Sequence, residues 1–246
     1  MIIDCEVYYH GAAAPLAGKV FEVDDFAKIC RDAGEDRAII MPTPTLFPRN
    51  RELVQALRSA SASSRELFMG CALVNPLLGA ESIAELDVAV REWGFRAAKL
   101  MPTLHPLKLW GPGAAPVMLK ARELRIPVTV HSDRPPASPL EIGALAEAYP
   151  DVPVIMDHMG YRNNVAEAIF AAQRAPNLFL LTTAVMEPHY IREAATEIGA
   201  HRVLFGSNGP AVRPATQIEV IRQAELTPEE ERKVLGENAA RLFRLA

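Results

Sequence analysis

Residues 127–160 hold the stretch that decides the fold. Pro127-Val128-Thr129-Val130-His131 is a short β-branched run that ends in an imidazole. A proline-rich turn, Arg134–Pro139, contains Ser138 and leads into Pro139–Tyr149, which is rich in Ala, Leu and Glu. Val152–Met156 is a second apolar run, and it opens into Asp157-His158-Met159-Gly160. Short β-branched runs bounded by turn residues read as strands, and an Ala/Leu/Glu stretch behind a serine N-cap reads as a helix. The unit is strand, helix, strand.

Working outward, the same alternation covers the chain. Strands are predicted at Ile2–Tyr8, Arg37–Met41, Leu67–Val74, Phe95–Met101, Pro127–His131, Val152–Met156, Leu178–Thr182 and Arg202–Phe205. Helices are predicted at Asn50–Ala62, Ser82–Trp93 with Gly94 as its stop, Pro139–Tyr149, Ala215–Ala224 and Pro228–Leu242. The last opens with Thr227-Pro228-Glu229-Glu230, which puts an N-cap threonine, a proline and acids where a helix start favours them. About eight βα units close a parallel barrel. With no shift of composition along 246 residues, the sequence predicts an α/β fold, a single-domain (β/α)8 TIM barrel over residues 1–246. A doubly wound open sheet is the alternative, and it would carry a glycine-rich phosphate turn after the first strand. That turn is His10-Gly11-Ala12-Ala13-Ala14-Pro15, without the G-x-G-x-x-G spacing, and there is no Walker loop.

Composition removes several function classes. The chain is 50% hydrophobic and 23% charged, with a formal net charge of −4, so nucleic acid is not expected as a partner. Its apolar runs are far shorter than the ~20 residues that cross a bilayer, so no membrane partner is expected. Cys5, Cys30 and Cys71 are scattered and unpaired, and the N-terminus has no basic, apolar leader, so a cytoplasmic location is expected.

In a barrel of this kind, polar residues at the C-terminal strand ends carry the chemistry. Strand alternation predicts Asp4, Glu6, Tyr8 and, if the strand extends, His10 on one face, with Cys5 on the opposite, helix-facing side. Later strands supply Asn75, Lys99, His131, His158 and Asn208. His131 and His158 occupy matching positions, suited to metal binding or proton transfer; the structural alternative is a neutral histidine bonded to backbone. Lys99, inside an apolar strand, needs an anion: a substrate carboxylate, or a structural partner such as Glu6 or Asp4. Lys99 and Asn75 are the expected substrate-binding residues. His105, His189 and His201 read as surface or capping residues, and the loop Leu104–Pro112, with Trp110, is long enough to cover a ligand.

Several segments, in this order, resemble the amidohydrolase-related branch of the amidohydrolase superfamily: Met1-Ile2-Ile3-Asp4, Ala72-Leu73-Val74-Asn75-Pro76, Gly94–Leu100, Val128-Thr129-Val130-His131, Asp157-His158-Met159-Gly160, Leu204-Phe205-Gly206-Ser207 and Gly236–Leu242. The resemblance implies a metal-dependent TIM-barrel hydrolase or decarboxylase. It implies a divalent ion, usually zinc, held by an H-x-H or E-x-H pair on strand one, a histidine on strand five and an aspartate on strand eight, with a strand-six histidine polarising or protonating the substrate. Here those positions are Glu6 and Tyr8, His131, Asn208, and His158. Glu6 and His131 are good ligands; a neutral phenol and an amide are not, so His10, Asp4 or Asp133 must complete a set of three. An amide is no general base either, which leaves Glu6 as the carboxylate base and Tyr8 as a donor to an oxyanion.

The sequence therefore predicts an amidohydrolase-like enzyme that hydrolyses or decarboxylates a small carboxylated or cyclic, anionic substrate at a degenerate metal site. His158, Glu6, Tyr8 and Asn208 are its expected catalytic residues. The alternatives are a metal-free lyase, isomerase or cyclase in the same pocket, and a non-catalytic binding protein. Oligomeric state stays open, a homo-oligomer included.

Overall fold

A computed structural model describes residues 1–161 and 163–245. Eight parallel strands alternate with helices: β1 Ile3–Tyr9, α1 Val23–Asp32, β2 Arg37–Pro42, α2 Asn50–Ser59, α3 Ala62–Leu67, β3 Phe68–Val74, α4 Ala80–Arg91, β4 Ala97–Leu100, α5 Ala115–Leu124, β5 Val128–Val130, α6 Pro139–Ala148, β6 Val154–Met156, α7 Val165–Arg174, β7 Leu178–Leu181, α8 Pro188–Ala194, β8 Val203–Leu204, α9 Pro214–Arg222, α10 Pro228–Arg232 and α11 Asn238–Phe243. Each strand pairs with the next in sequence, β1 through β8. The ring closes through backbone bonds between β1 and the segment after β8: Cys5 N–H donates to Phe205 O (2.9 Å), Asn208 N–H to Glu6 O (3.0 Å) and Tyr8 N–H to Gly209 O (2.7 Å). This is the (β/α)8 barrel that the alternation predicts.

Period-two alternation sorts the core into two layers. Outward side chains such as Ile40, Ala98, Val128 and Met156 pack under the helices, whereas Ile39, Cys71, Ala97, Ile155 and Leu204 fill the barrel interior. Phe243 of α11 belongs to the interior cluster. The two predicted serine and threonine caps form reciprocal capping boxes, Ser138 with Glu141 and Thr227 with Glu230.

Three expectations need correction. The helix predicted over Asn50–Ala62 stops at Ser59, because Ser61 caps a new helix, α3, by accepting from Ser64 N–H. The final helix runs as α10, a wide turn over Lys233–Glu237, and α11. The third correction bears on the site. Strand β1 shifts register against β2 between Asp4 and Val7, the signature of a β-bulge, which adds one residue and breaks strict alternation. Cys5 consequently lies in the barrel interior with Ile39 and Cys71, not facing the helices. Asp4 instead meets Glu35, which in turn meets Cys30 of α1.

Candidate active site

The inward register that fills the barrel also carries the polar groups. Leu73 pairs with Lys99, and Lys99 pairs with Thr129 across β3, β4 and β5, so Lys99 projects into the barrel, where it is fully buried. Asp157 follows β6 two residues after Ile155 and shares its inward face. The Lys99 ammonium bridges two buried carboxylates, donating to Glu6 Oε2 (3.1 Å) and to Asp157 Oδ2. Tyr8 donates its hydroxyl to the other Glu6 oxygen at 2.6 Å.

Above this cluster stand the two histidines. His131 Nδ1 donates to Asp157 Oδ2 (3.3 Å), and the rings of His131 and His158 meet edge to face with centroids 4.9 Å apart. His158 donates Nδ1–H to the Thr183 carbonyl at 2.9 Å, which leaves Nε2, 3.7 Å from Asp157 Oδ2, as the ring nitrogen that can give or take a proton. Ser132 N–H donates to Asp157 Oδ1 (2.7 Å), and the Ser132 hydroxyl donates to the Asp157 carbonyl. The backbone is bent to present these groups. His158, Met159, Gly160 and Tyr161 all have positive φ, from 46° to 83°, and Asn208 has φ 65°. Left-handed backbone is uncommon outside glycine, and such residues collect at functional sites.

Charge follows geometry. Burial by itself would raise the Asp157 pKa, but His158, Lys99 and His131 hold it well below the ordinary carboxylate range. Burial would likewise lower Lys99 and His131, and their carboxylate neighbours lift both instead. Tyr8 is pushed well above a free phenol by burial and by Glu6, so it is a neutral donor at physiological pH.

A cavity of about 770 Å³ opens over this floor, lined by Tyr8, His10, Met101, His131, Asp133, Arg134, His158, Tyr161 and Asn208 among others. A groove of about 900 Å³ between α4 and α5 is larger, but it is lined by Ile83, Val88, Pro116 and surface charges and contains no histidine. The two histidines and the buried ion cluster lie at the first. Of the residues singled out in the sequence, Tyr8, His131, His158 and Asn208 meet at this cavity, and Glu6 and Lys99 lie directly beneath it. Asn75 does not join them. Its amide donates to Leu46 O (2.9 Å) and accepts from Leu77 N–H (3.1 Å), fastening the turn after β3. His10 and Asp133 reach the cavity, whereas Asp4 is on the other side of β1. His105 is fully buried and bonded to Thr45 O (2.9 Å), not a surface residue; Trp110 is exposed and outside the cavity lining.

Two residues were not among those singled out. Asp157 is the hub of the site; its signal was an acid two positions beyond Ile155, hence on the inward face, opposite a buried lysine with no partner in its own strand. Arg134 is the permanent cation among the described cavity-lining residues, and no carboxylate is paired with it there.

His131, Asp157 and His158 bring three donor atoms within 4.8 Å of one another, a grouping able to hold a metal ion. Two imidazoles and a carboxylate match the three protein ligands of open divalent sites. The strand-one and strand-eight positions do not contribute, because Glu6 is taken by Tyr8 and Lys99 and Asn208 carries no charge.

Fold and site together define a parallel (β/α)8 barrel whose polar groups gather at the C-terminal strand ends over a buried ion cluster. The amidohydrolase family model matches residues 18–245. The chain belongs to the amidohydrolase family. Its fold is similar to that of 2,6-dihydroxybenzoate decarboxylase from Rhizobium (TM-score 0.74, 18% identity, 99% of this chain and 98% of that one). It is also similar to 5-carboxyvanillate decarboxylase from Sphingomonas paucimobilis (TM-score 0.77, 15% identity, 100% and 99%). A third similar structure is dihydroxybenzoic acid decarboxylase from Polaromonas, which holds manganese and the inhibitor 2-nitroresorcinol (TM-score 0.71, 18% identity, 99% and 97%). No protein of curated function matches the sequence at significant similarity. No helix among the described residues is long and apolar enough to cross a membrane.

Proposed function

We propose that the protein is a carboxy-lyase or hydrolase acting on a small anionic substrate, with decarboxylation the better supported of the two. The observation that carries this reading is the His131–His158 pair over Asp157, presented by left-handed backbone at the floor of a 770 Å³ cavity. A cavity of that size suits a small organic molecule. Decarboxylation is favoured because the β8 position holds Asn208, whose amide cannot take a proton from an attacking water.

In this reading, Arg134 at the cavity wall pairs with an anionic group of the substrate. Lys99, fully buried under Glu6 and Asp157, supports the floor in place of the substrate-binding role expected of it. His158 carries the proton. Its Nδ1–H is fixed on Thr183 O, so Nε2 is the nitrogen that exchanges a proton with the substrate, delivering it to the carbon whose carboxylate departs as CO2. Tyr8 and the Asn208 amide orient the substrate's oxygen atoms. His131, Asp157 and His158 are the residues that would hold a divalent ion, zinc by donor type or manganese as in the Polaromonas enzyme; because Nε2 is the one free nitrogen of His158, an ion there would take the place of its proton, and the proton transfer belongs to His158 when it is not a ligand. Such an ion, when bound, polarises a substrate oxygen.

The test is product analysis with 2,6-dihydroxybenzoate, 5-carboxyvanillate and a panel of lactones and amides. Loss of CO2 is expected, with His158→Ala lowering the rate about 10²–10⁴-fold. Products that have gained water would replace decarboxylation with hydrolysis. Tight binding without turnover, unchanged in His158→Ala, would make the protein a binding protein.

A further inference from the structure

The centre of the site already holds a cation of the chain's own. Lys99 has no solvent exposure, and neither do Glu6 and Asp157, the two carboxylates its ammonium bridges. The lysine is held on the inward face of β4 by its register with Leu73 and Thr129, so its reach is confined to the barrel mouth. Asp157 is also the carboxylate of the His131–Asp157–His158 trio. An ion bound there would share Asp157 Oδ2 with the ammonium, placing two positive charges on one oxygen where water does not screen them. Asp157 Oδ1 is turned the other way, accepting from Ser132 N–H at 2.7 Å.

We propose that Lys99 is a built-in competitor of the divalent ion. It occupies Asp157 and Glu6 in the ion's absence, keeps the site assembled without metal, and holds the affinity for metal low. The inference rests on the trio being the metal-binding group of the proposed function. The buried cluster then has a cation at all times, supplied by the chain, and the metal is an addition to a finished structure.

Manganese binding to the whole protein tests this, measured at fixed pH by the electron paramagnetic resonance of free Mn2+ for wild type, Lys99→Arg and Lys99→Met. Lys99→Met is expected to bind one Mn2+ at least about tenfold more tightly than wild type, the size of a typical coupling between two sites, with Lys99→Arg close to wild type. Equal affinity in wild type and Lys99→Met would overturn the competition while leaving the trio as a metal site. No saturable binding in any of the three would overturn the trio itself, and the inference with it. A measurement on wild type alone stands beside these in case Lys99→Met does not fold. Exhaustive chelation is expected to leave the melting temperature and near-ultraviolet circular dichroism unchanged; a large fall in either would show that the site depends on metal for its assembly and would overturn the inference.

Discussion

Two buried acid clusters flank the bulge of β1, and they solve the same problem in opposite ways. On the inward side, Glu6 and Asp157 are neutralised by Lys99 and supported by Tyr8, Ser132 and His131. On the outward side, Asp4 and Glu35 face each other with no cation paired to either among the described residues. Among the described residues no N–H or O–H of a third residue reaches Asp4 Oδ2 or either oxygen of Glu35. Burial and the neighbouring Asp4 push Glu35 up to about 10, and burial raises Asp4 to about 6 against the pull of its hydrogen bonds. One cluster is settled by a lysine and stays ionised; the other is settled by a proton. Among the described residues only the inward cluster holds a lysine, and it is the one beneath the cavity.

The sharpest way to break this contrast is to remove the lysine. Lys99→Met strands two carboxylates in the interior and is expected to cost about 3–5 kcal/mol in urea unfolding, the usual penalty for breaking a buried pair from one side. A loss below about 1 kcal/mol would mean that protons replace the lysine readily and that the two clusters are alike. Tyr8→Phe comes next. It leaves Glu6 Oε1 without its donor and should cost about 1–3 kcal/mol by the same measurement. Glu35→Gln has the smallest effect and the opposite sign. Because the Glu35 pKa is raised, the folded chain keeps a proton that the unfolded chain loses above about pH 4.5, so wild-type stability falls as pH climbs from there toward about 10. Glu35→Gln is expected to melt like wild type near pH 5 and to be more stable than wild type at pH 8, by about 1 kcal/mol or more. An unchanged pH slope would show that Asp4 and Glu35 do not share a proton.

The barrel was legible because every strand ends in a turn signal and every inward position is apolar except a few. Ile39, Cys71, Ala97 and Ile155 announce the register that also carries Lys99 and Asp157. The bulge was not legible. Ile3-Asp4-Cys5-Glu6-Val7-Tyr8 satisfies strict alternation on paper, and only the closure of β1 onto residues 205–209 imposes the extra residue that sends Cys5 inward and Asp4 outward. The break at Ser59 was hidden for a different reason. Serines are weak helix members and strong caps, so Ser59-Ala60-Ser61-Ala62 fits both one continuous helix and two. His131 and His158 could be found from strand-end placement alone, but their hub, Asp157, lay one residue before a more conspicuous histidine. Arg134 was hidden in a proline-rich loop whose path no periodicity describes.

The left-handed run from His158 to Tyr161 also bears on how this site can change. A position at φ 55° admits glycine, asparagine and aspartate with little strain and resists β-branched residues strongly. The mutational neighbourhood of His158 is therefore narrow, and it is set by the main chain before any substrate is consulted. Sequences that drift toward new chemistry in this cavity have more freedom at Arg134 and at the loops around the mouth than at His158.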